Sequence, residues 1–260
     1  MQKLLIIFYS FFVLNISFAE SELRSSFFNK PLKHDLSNVA YKAYDNYHFK
    51  IPFYAGIAAY LLFDGEISES ASENNYIFGS QKNAADWTDG LLLSLIPVML
   101  YTGYNTDIPD NKETKTTQKM KLLALQSLII AADILIIHGI KTSSQRVRPD
   151  ASDKLSFPSG HSSVSAGLSR TIFNNVKNSP LNGTSSGNII QGTSFAMSSL
   201  VAWGRVEAKK HHLSDVLLGN ALGSFISDFM YGIFLEKPKN LQTTFFINDK
   251  QQSFNFVYNF

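Results

Sequence analysis

Residues 121–140 read KLLALQSLIIAADILIIHGI and form the longest apolar stretch after the first nineteen residues of the chain. A run of this length predicts a helix, either buried in a protein core or crossing a membrane. Polar side chains at Gln126 and Asp133 interrupt the run, and such groups are costly in a lipid-exposed helix unless another helix accepts them. A second stretch, residues 213–235, carries two Asp and one Asn. We therefore expect buried core helices, and a chain that crosses a membrane several times stays the alternative.

The rest of the chain extends this helical pattern in both directions. Apolar residues recur at helical spacing over 35–46, and apolar runs cover 51–63 and 90–104. The 260 residues are 45 % hydrophobic and 17 % charged, and neither a repeat nor a Pro/Gly-rich linker divides them. The sequence thus predicts a single all-α domain at residues 20–260, built as a helical bundle with its core at about 35–236.

Both ends depart from the helical pattern. Residues 1–19 combine a basic start, an uncharged apolar run and small residues at Ser17 and Ala19, which are the features of a cleaved secretory signal peptide. An uncleaved N-terminal anchor is the alternative. We predict export to the periplasm or to the periplasmic face of a bacterial membrane. At the other end, residues 241–260 hold two aromatic and β-branched segments around a turn, which predicts a short C-terminal β-hairpin.

Composition excludes several classes of function. The chain has 23 Lys and Arg against 21 Asp and Glu, a net charge of only +2, and no basic block. It therefore lacks the clustered positive charge with which proteins bind nucleic acids. The absence of cysteine excludes disulfides, thiolate nucleophiles and iron–sulfur sites. Any metal would need His and carboxylate ligands.

Residues of types that can catalyse a reaction or bind an anion are concentrated between positions 141 and 215, in three clusters. In the first, Lys141 ends an apolar helix and Arg148 follows after a short turn. Because Arg suits phosphate oxygens bidentately and Lys acts as a point charge, the two side chains could face one anion. The second cluster, Pro158-Ser159-Gly160-His161, opens an apolar-periodic segment. Its backbone N–H groups are therefore expected at a helix N-terminus, where anions bind.

The third cluster contains Arg205, His211 and Asp215. Four residues separate His211 from Asp215, so in a helix both side chains share one face and the carboxylate can orient the ring. An oriented His is a candidate nucleophile or base. Each cluster alone has a structural explanation, as a solvated helix end, a capped turn or a surface pair. Their combination in this order indicates a phosphate site.

Polar residues ahead of these clusters are interpreted structurally. The stretch 64–83 contains Gly, Ser and Asn and is predicted to form a surface loop. Asp86 and Asp89 precede an apolar helix and are expected to be N-terminal capping charges, with a role at the entrance of the site as the alternative.

Together the three clusters resemble the type 2 phosphatidic acid phosphatase family, whose site is shared with bacterial class A acid phosphatases and vanadium haloperoxidases. The family pattern is K-x6-R-P, P-S-G-H and S-R-x5-H-x3-D, and ten of its eleven specified positions match. The exception is Gly204, where the family usually has Ser. Only eight residues, Asp150 to Phe157, separate the first two blocks, which implies a small lid over the phosphate. The matching residues are Lys141, Arg148, Pro149, Pro158, Ser159, Gly160, His161, Arg205, His211 and Asp215.

The resemblance implies a helical bundle of the acid phosphatase and vanadium haloperoxidase type, and a role for each matched residue. His211 would attack phosphorus to give a phosphohistidine, Asp215 would orient His211, and His161 would protonate the leaving oxygen. No metal or other cofactor is expected. The remaining matched groups would hold the phosphate oxygens, namely Lys141, Arg148, Arg205 and the backbone of Ser159 and Gly160.

The sequence indicates the substrate less specifically than it indicates the residues of the site. A phosphorylated lipid or lipid pyrophosphate is favoured, because the chain is expected to be exported and is rich in apolar helices. Three alternatives stay open: a soluble periplasmic acid phosphatase acting on small phosphate esters, a vanadium-dependent haloperoxidase, and a non-enzymatic envelope protein. Vanadate is expected to inhibit a phosphatase of this type, and association with a membrane also stays open.

Overall fold

The computed structural model describes residues 30–107, 115–235, 241–248 and 251–258, and helices make up most of them. The prediction of a predominantly helical chain is confirmed over these residues. The predicted signal peptide at 1–19 lies outside the described residues. The helices are α1 (Lys30–Asp45), α2 (Tyr47–Leu62), α3 (Asp64–Asn74), α4 (Gln81–Asn105), α5 (Lys115–Ser144), α6 (Gly160–Lys177), α7 (Ser185–Glu207) and α8 (Leu213–Phe234).

Two boundaries differ from the sequence-based prediction. The polar stretch expected to be a loop contains α3, which begins with two acidic residues in its first turn and is followed by the C-cap residue Asn75 in the left-handed conformation, φ 48°. Helix α4 begins at Gln81, because the Ser80 side chain accepts a hydrogen bond from the backbone of Asn83 as an N-cap. Asp86 and Asp89 therefore lie inside α4, and the prediction that they cap its start is wrong.

The core that supports the candidate site is formed by α4, α6 and α7. Buried Leu95 and Met99 of α4 pack with Leu168, Ile172 and Val176 of α6. Helix α6 is unusual because its buried surface is also rich in small polar residues, which hydrogen-bond to neighbouring helices or to their own backbone. The buried polar residues of α6 are Ser162, Ser163, Ser165, Ser169, Thr171, Asn174 and Asn175.

Helices α6 and α8 approach each other closely enough for backbone contact. A Cβ atom at Gly219 would lie 2.7 Å from the backbone oxygen of Ser159, and one at Gly223 would lie 1.9 Å from that of Ser163. Only glycine allows this approach. The crossing brings the start of α8 beside the start of α6, and the backbone N–H of Ser159 donates to the backbone oxygen of Asp215 at 3.0 Å.

The chain divides into two compact units. The larger unit, Ala43–Asp228, contains every residue of the three clusters. The smaller unit combines the described parts of Met1–Lys42 and Phe229–Phe260, and in it Gly232 faces Val39. Its last element is an antiparallel pair of strands, β1 (Leu241–Asn248) and β2 (Gln251–Tyr258), in which Leu241 is opposite Tyr258 and Asn248 opposite Gln251.

Among the described residues, two helices are long and apolar enough to cross a membrane by length and composition, at Gln118–Ser144 and Leu213–Phe234. Gln126 and Asp133 of the first are buried, as expected: the Gln126 side chain donates to Asn175 at 3.3 Å, and Ser163 donates to Asp133 at 2.6 Å. Because α6 accepts these groups, they do not argue against a membrane-spanning α5. Large apolar side chains are also exposed on other helices, including Ile51, Leu61, Leu62, Tyr101 and Phe195.

Candidate active site

The three sequence clusters converge in the larger unit. Lys141 is in the last turn of α5, Ser159 caps the start of α6, and Arg205 is in the last turn of α7. His211 precedes α8 and Asp215 lies in its first turn, so the predicted i,i+4 spacing on one helical face does not explain their proximity. The turn between α7 and α8 brings the two residues together. Both are almost fully buried.

The His211 ring is held in one tautomer. Its Nδ1 atom lies 2.7 Å from the backbone oxygen of Ser156, and since a carbonyl oxygen only accepts, Nδ1 carries the proton. Arg148 points a guanidinium N–H at the other ring nitrogen, Nε2, at 3.5 Å. Burial, together with the charges of Lys141, Arg205 and Arg148, holds the pKa of His211 well below its usual range. His211 is therefore neutral at pH 7, with the Nε2 lone pair facing the cations.

Asp215 lies farther from His211 than direct hydrogen bonding allows. Its Oδ2 atom is 3.9 Å from Nδ1 of His211. The carboxylate accepts hydrogen bonds instead from Arg146 at 2.6 Å, from the Ser156 hydroxyl at 2.5 Å and from the backbone N–H of His212 at 2.9 Å. Ser156 therefore contacts both residues, since its hydroxyl donates to Asp215 and its backbone oxygen accepts from His211.

Sequence reasoning missed Arg146 and Asp64. The Arg146 guanidinium bridges two carboxylates, Asp215 and Asp64, and packs over the ring of Tyr60 at 5.3 Å. Asp64 also accepts from the backbone and hydroxyl of Ser214 at 2.8 and 2.6 Å. Burial alone would raise the pKa of Asp64, but the hydrogen bonds from Ser214 and Arg146 outweigh burial and lower it. The start of α3 is thus tied to the start of α8.

The three predicted phosphate-binding cations have different partners. Lys141 donates to the backbone oxygen of Leu155 at 2.7 Å, and Arg148 donates through Nε to Asp153 at 2.6 Å. Arg205 lies 3.5 Å from the hydroxyl of Thr88, and its buried Nε has no hydrogen-bond partner among the described residues. Burial lowers the pKa of Arg205 to about 10, so the side chain is still charged at pH 7. A buried cation with an unpaired donor favours an anionic ligand.

The start of α6 is only partly available to an anion. The Ser159 side chain accepts from the backbone of Ser162, and the Ser159 N–H is already bonded to Asp215. The predicted contribution of the Ser159 backbone to phosphate binding therefore does not fit this structure. The first N–H groups of a helix have no intrahelical partner, which leaves the first turn of α6, beginning at Gly160, for that role. A Cβ at Gly160 would lie 3.7 Å from Lys141, an ordinary contact.

His161, in the first turn of α6, pairs with Asp89, which was predicted to be a capping charge at a helix start. Its Nε2 atom lies 2.8 Å from a carboxylate oxygen of Asp89 on α4. Burial and the Arg205 charge lower the pKa of His161 to about 4, whereas Asp89 opposes the shift.

The departure from the family pattern at Gly204 has a steric reason. A Cβ at this position would lie 2.3 Å from Thr88 Cγ2 and 2.9 Å from Phe78 Cε2, so no side chain fits. Phe78 is held in place by Glu207, a buried residue that accepts hydrogen bonds from the backbone of Phe78 at 3.0 Å and of Ile77 at 2.9 Å. Side chains from the α3–α4 segment and α4 therefore occupy the space beside Gly204.

Comparison with known proteins matches the segment of the chain that contains the three clusters. The model of the PAP2 superfamily matches residues 122–239. A PA-phosphatase related-family protein of Dictyostelium discoideum is 28 % identical over 163 residues, which cover 56 % of this chain and 58 % of that protein. This chain thus spans little more than half of that relative.

A solved structure is also similar. The crystal structure of a transmembrane PAP2 type phosphatidylglycerolphosphate phosphatase from Bacillus subtilis aligns with 78 % of this chain and 95 % of its own chain, at 21 % sequence identity and a TM-score of 0.43.

Proposed function

Because residues 122–239 match the model of the PAP2 superfamily, we propose that the protein is a phosphatase that hydrolyses a phosphate monoester or pyrophosphate through a phosphohistidine at His211. One observation carries the proposal. The Nε2 atom of a neutral, buried His211 faces Arg148, and nearby Arg205 has an unpaired buried N–H. A nucleophile without a proton to lose, beside a buried cation with an unpaired donor, suits attack on a phosphoryl group.

In the first step, the Nε2 lone pair of His211 attacks phosphorus and the bond to the leaving oxygen breaks. His161 gives a proton to that oxygen. As the transfer proceeds, Lys141, Arg148 and Arg205 stabilise negative charge on the equatorial oxygens. The carbonyl of Ser156 stabilises the positive charge that develops on the ring, because it accepts the Nδ1 proton.

In the second step, water attacks the phosphohistidine and the P–N bond breaks. His161, now neutral, takes a proton from the attacking water, and phosphate leaves. We assign Asp215 an orienting role that acts through Ser156 and the turn before α8, which differs from the direct pairing implied by the family resemblance. No step requires a metal.

A phosphorylated lipid is the substrate class we favour. Lys141 lies near the end of one candidate membrane helix, and Asp215 lies near the start of the other. If both helices cross a membrane, the site lies near the level of the lipid headgroups. The Dictyostelium relative is also described as related to phosphatidic acid phosphatases. We propose that the protein associates with a bacterial membrane and faces the periplasm.

The test is phosphate release by the full chain from phosphatidic acid in detergent micelles and from a small alkyl phosphate. His211→Ala is expected to abolish release, because no neighbouring group replaces the nucleophile. His138→Ala is the matched control, since His138 is exposed on α5. Release from the small ester alone would identify the soluble acid phosphatase alternative, and equal activity of His211→Ala and wild type would refute the mechanism.

Location needs its own measurement. Cells expressing the full chain are subjected to osmotic shock, which releases the periplasmic contents, and are then broken so that their membranes can be washed with carbonate. We expect the protein to stay in the membrane fraction until detergent is added. Release by osmotic shock would instead support a soluble periplasmic protein.

A further inference from the structure

Asp89 lies outside the three clusters but contacts His161, the candidate general acid. It lies well inside α4, and one of its oxygens is 2.8 Å from Nε2 of His161. The Asp89 side chain is about half exposed, at 49 %, whereas that of His161 is 19 % exposed. Asp89 lies outside the segment that matches the superfamily, residues 122–239.

The contact decides which ring nitrogen of His161 can react. An ionised carboxylate only accepts hydrogen bonds, so Nε2 of His161 is the donor to Asp89. Nδ1 is then the nitrogen that can give up a proton while Nε2 keeps its own. Without the carboxylate, either nitrogen could carry the single proton of the neutral ring.

The charges around His161 explain why an acid at this position needs a carboxylate. Lys141 from α5 and Arg205 from α7 both disfavour the protonated ring, as does burial, and Asp89 from α4 is the group that favours it. With all of these present, the pKa of His161 is about 4. A dianionic substrate raises this pKa, but removal of Asp89 leaves Lys141 and Arg205 as the charged groups that act on the ring among the described residues.

We propose that Asp89 is the positioning residue for the general acid of this site. It keeps the proton on Nε2 of His161, so that Nδ1–H protonates the leaving oxygen as the P–O bond breaks and the P–N bond to His211 forms. In the second step, Nδ1 takes one proton from the attacking water as phosphate is released. This inference rests on the proposed phosphatase function.

The kinetic test compares Asp89→Asn with Asp86→Asn in the full chain. Asp86 lies three residues earlier on α4, is 63 % exposed and pairs with Lys82 on the same helix, so it is a matched control. Asp89→Asn is expected to lower kcat roughly 10²-fold for an alkyl phosphate, whose leaving group needs a proton, and far less for an aryl phosphate. Asp86→Asn is expected to match wild type, and Asp89→Glu to recover part of the loss.

The pH dependence separates positioning from a purely structural role. With the alkyl substrate, the basic limb of the kcat profile is expected to move to lower pH in Asp89→Asn, because His161 loses its proton more easily. An equal loss for both leaving groups with an unmoved profile would overturn the proposal, and so would wild-type kinetics.

A second measurement does not depend on turnover. The ring nitrogens of His161 are followed by NMR during a pH titration of the ligand-free wild type and Asp89→Asn. We expect the wild-type neutral ring to carry its proton on Nε2, and the midpoint to fall in the variant. Identical titrations would overturn the role of Asp89. The midpoint could instead shift in the variant while the wild-type protein releases no phosphate from any ester. That result would refute the proposed function and leave the pairing of Asp89 with His161 established.

Discussion

The backbone oxygen of Ser156 accepts the Nδ1 proton of His211 at 2.7 Å, while the hydroxyl of the same serine donates to Asp215 at 2.5 Å. One fully buried residue therefore connects the candidate nucleophile to its carboxylate. The backbone part of this connection is independent of the side chain at position 156. The two contacts can thus be separated by substitution.

Ser156→Ala is expected to lower the free energy of unfolding by about 1–3 kcal/mol, because a buried carboxylate loses one donor. Activity should fall less than about tenfold, since the backbone oxygen still fixes the tautomer of His211. Denaturant unfolding and kcat measure the two effects, and Ser152→Ala, exposed in the same loop, is the control. A loss of activity as large as that of His211→Ala would show that the Ser156 hydroxyl, and not only its backbone oxygen, is needed for activity.

Arg146→Ala is expected to lower kcat roughly 10²-fold, because Asp64 and Asp215 lose their common partner and the turn that carries His211 shifts. Added guanidinium ion should restore part of the activity, and Arg146→Lys should do so poorly, since one ammonium group cannot bridge both carboxylates. Lys154→Ala, at an exposed position of the same loop, is the control. Unchanged kcat would show that the bridge is not required.

Gly204→Ser, which introduces the residue usual in the family, is expected to destabilise the protein by about 1–3 kcal/mol through contact with Thr88. Thr88→Ala in the same chain should recover much of that loss, because it removes the methyl group at 2.3 Å. Gly192→Ser is the control, since a Cβ there meets nothing within 4 Å. Additive effects of the two changes would be inconsistent with steric coupling.

Stability is expected to fall with acidification. The pKa of His211 is depressed in the folded state, so the unfolded chain binds a proton below about pH 6.5 that the folded chain rejects. The contribution of the neutral, buried His211 to the free energy of unfolding is complete above that pH and decreases by up to about 1.4 kcal/mol for each pH unit below it. Unfolding free energies at pH 7 and pH 5 measure it. His211→Asn should flatten the dependence and His138→Asn should not. Equal slopes in all three proteins would argue against a neutral, buried His211.

Vanadate is expected to inhibit competitively, because its trigonal-bipyramidal adduct on His211 mimics the transferring phosphoryl group. A chelator should leave the activity unchanged. Steady-state kinetics with varied substrate and vanadate tests the first expectation, and dialysis against EDTA the second. Activity that EDTA removes and a divalent ion restores would contradict the metal-free mechanism, and halide oxidation by the vanadate-loaded protein would indicate a haloperoxidase.

The structure brings together the three clusters that the sequence singled out, but most of their contacts could not be predicted from the sequence. The three clusters were recognisable because each has a fixed local spacing and a helix end beside it. Asp64 gave no such signal, since it begins a polar stretch that resembles a loop and its hydrogen bonds go to Ser214 and Arg146, which are distant in sequence. Asp89 was assigned to a helix start that lies nine residues downstream of the observed one, so its partner could not be inferred.

The eight-residue loop from Asp150 to Phe157 has an evolutionary consequence. Asp150 binds Lys210, Asp153 binds Arg148, Leu155 binds Lys141 and Ser156 binds His211. The segment predicted to cover the phosphate is therefore the same one whose backbone keeps the proton on Nδ1 of His211. Insertions here would change access to the site only by disturbing the hydrogen bond that orients the His211 ring. New substrate preferences are then expected to arise from elsewhere, in particular from the α3–α4 connection that Glu207 holds beside Gly204.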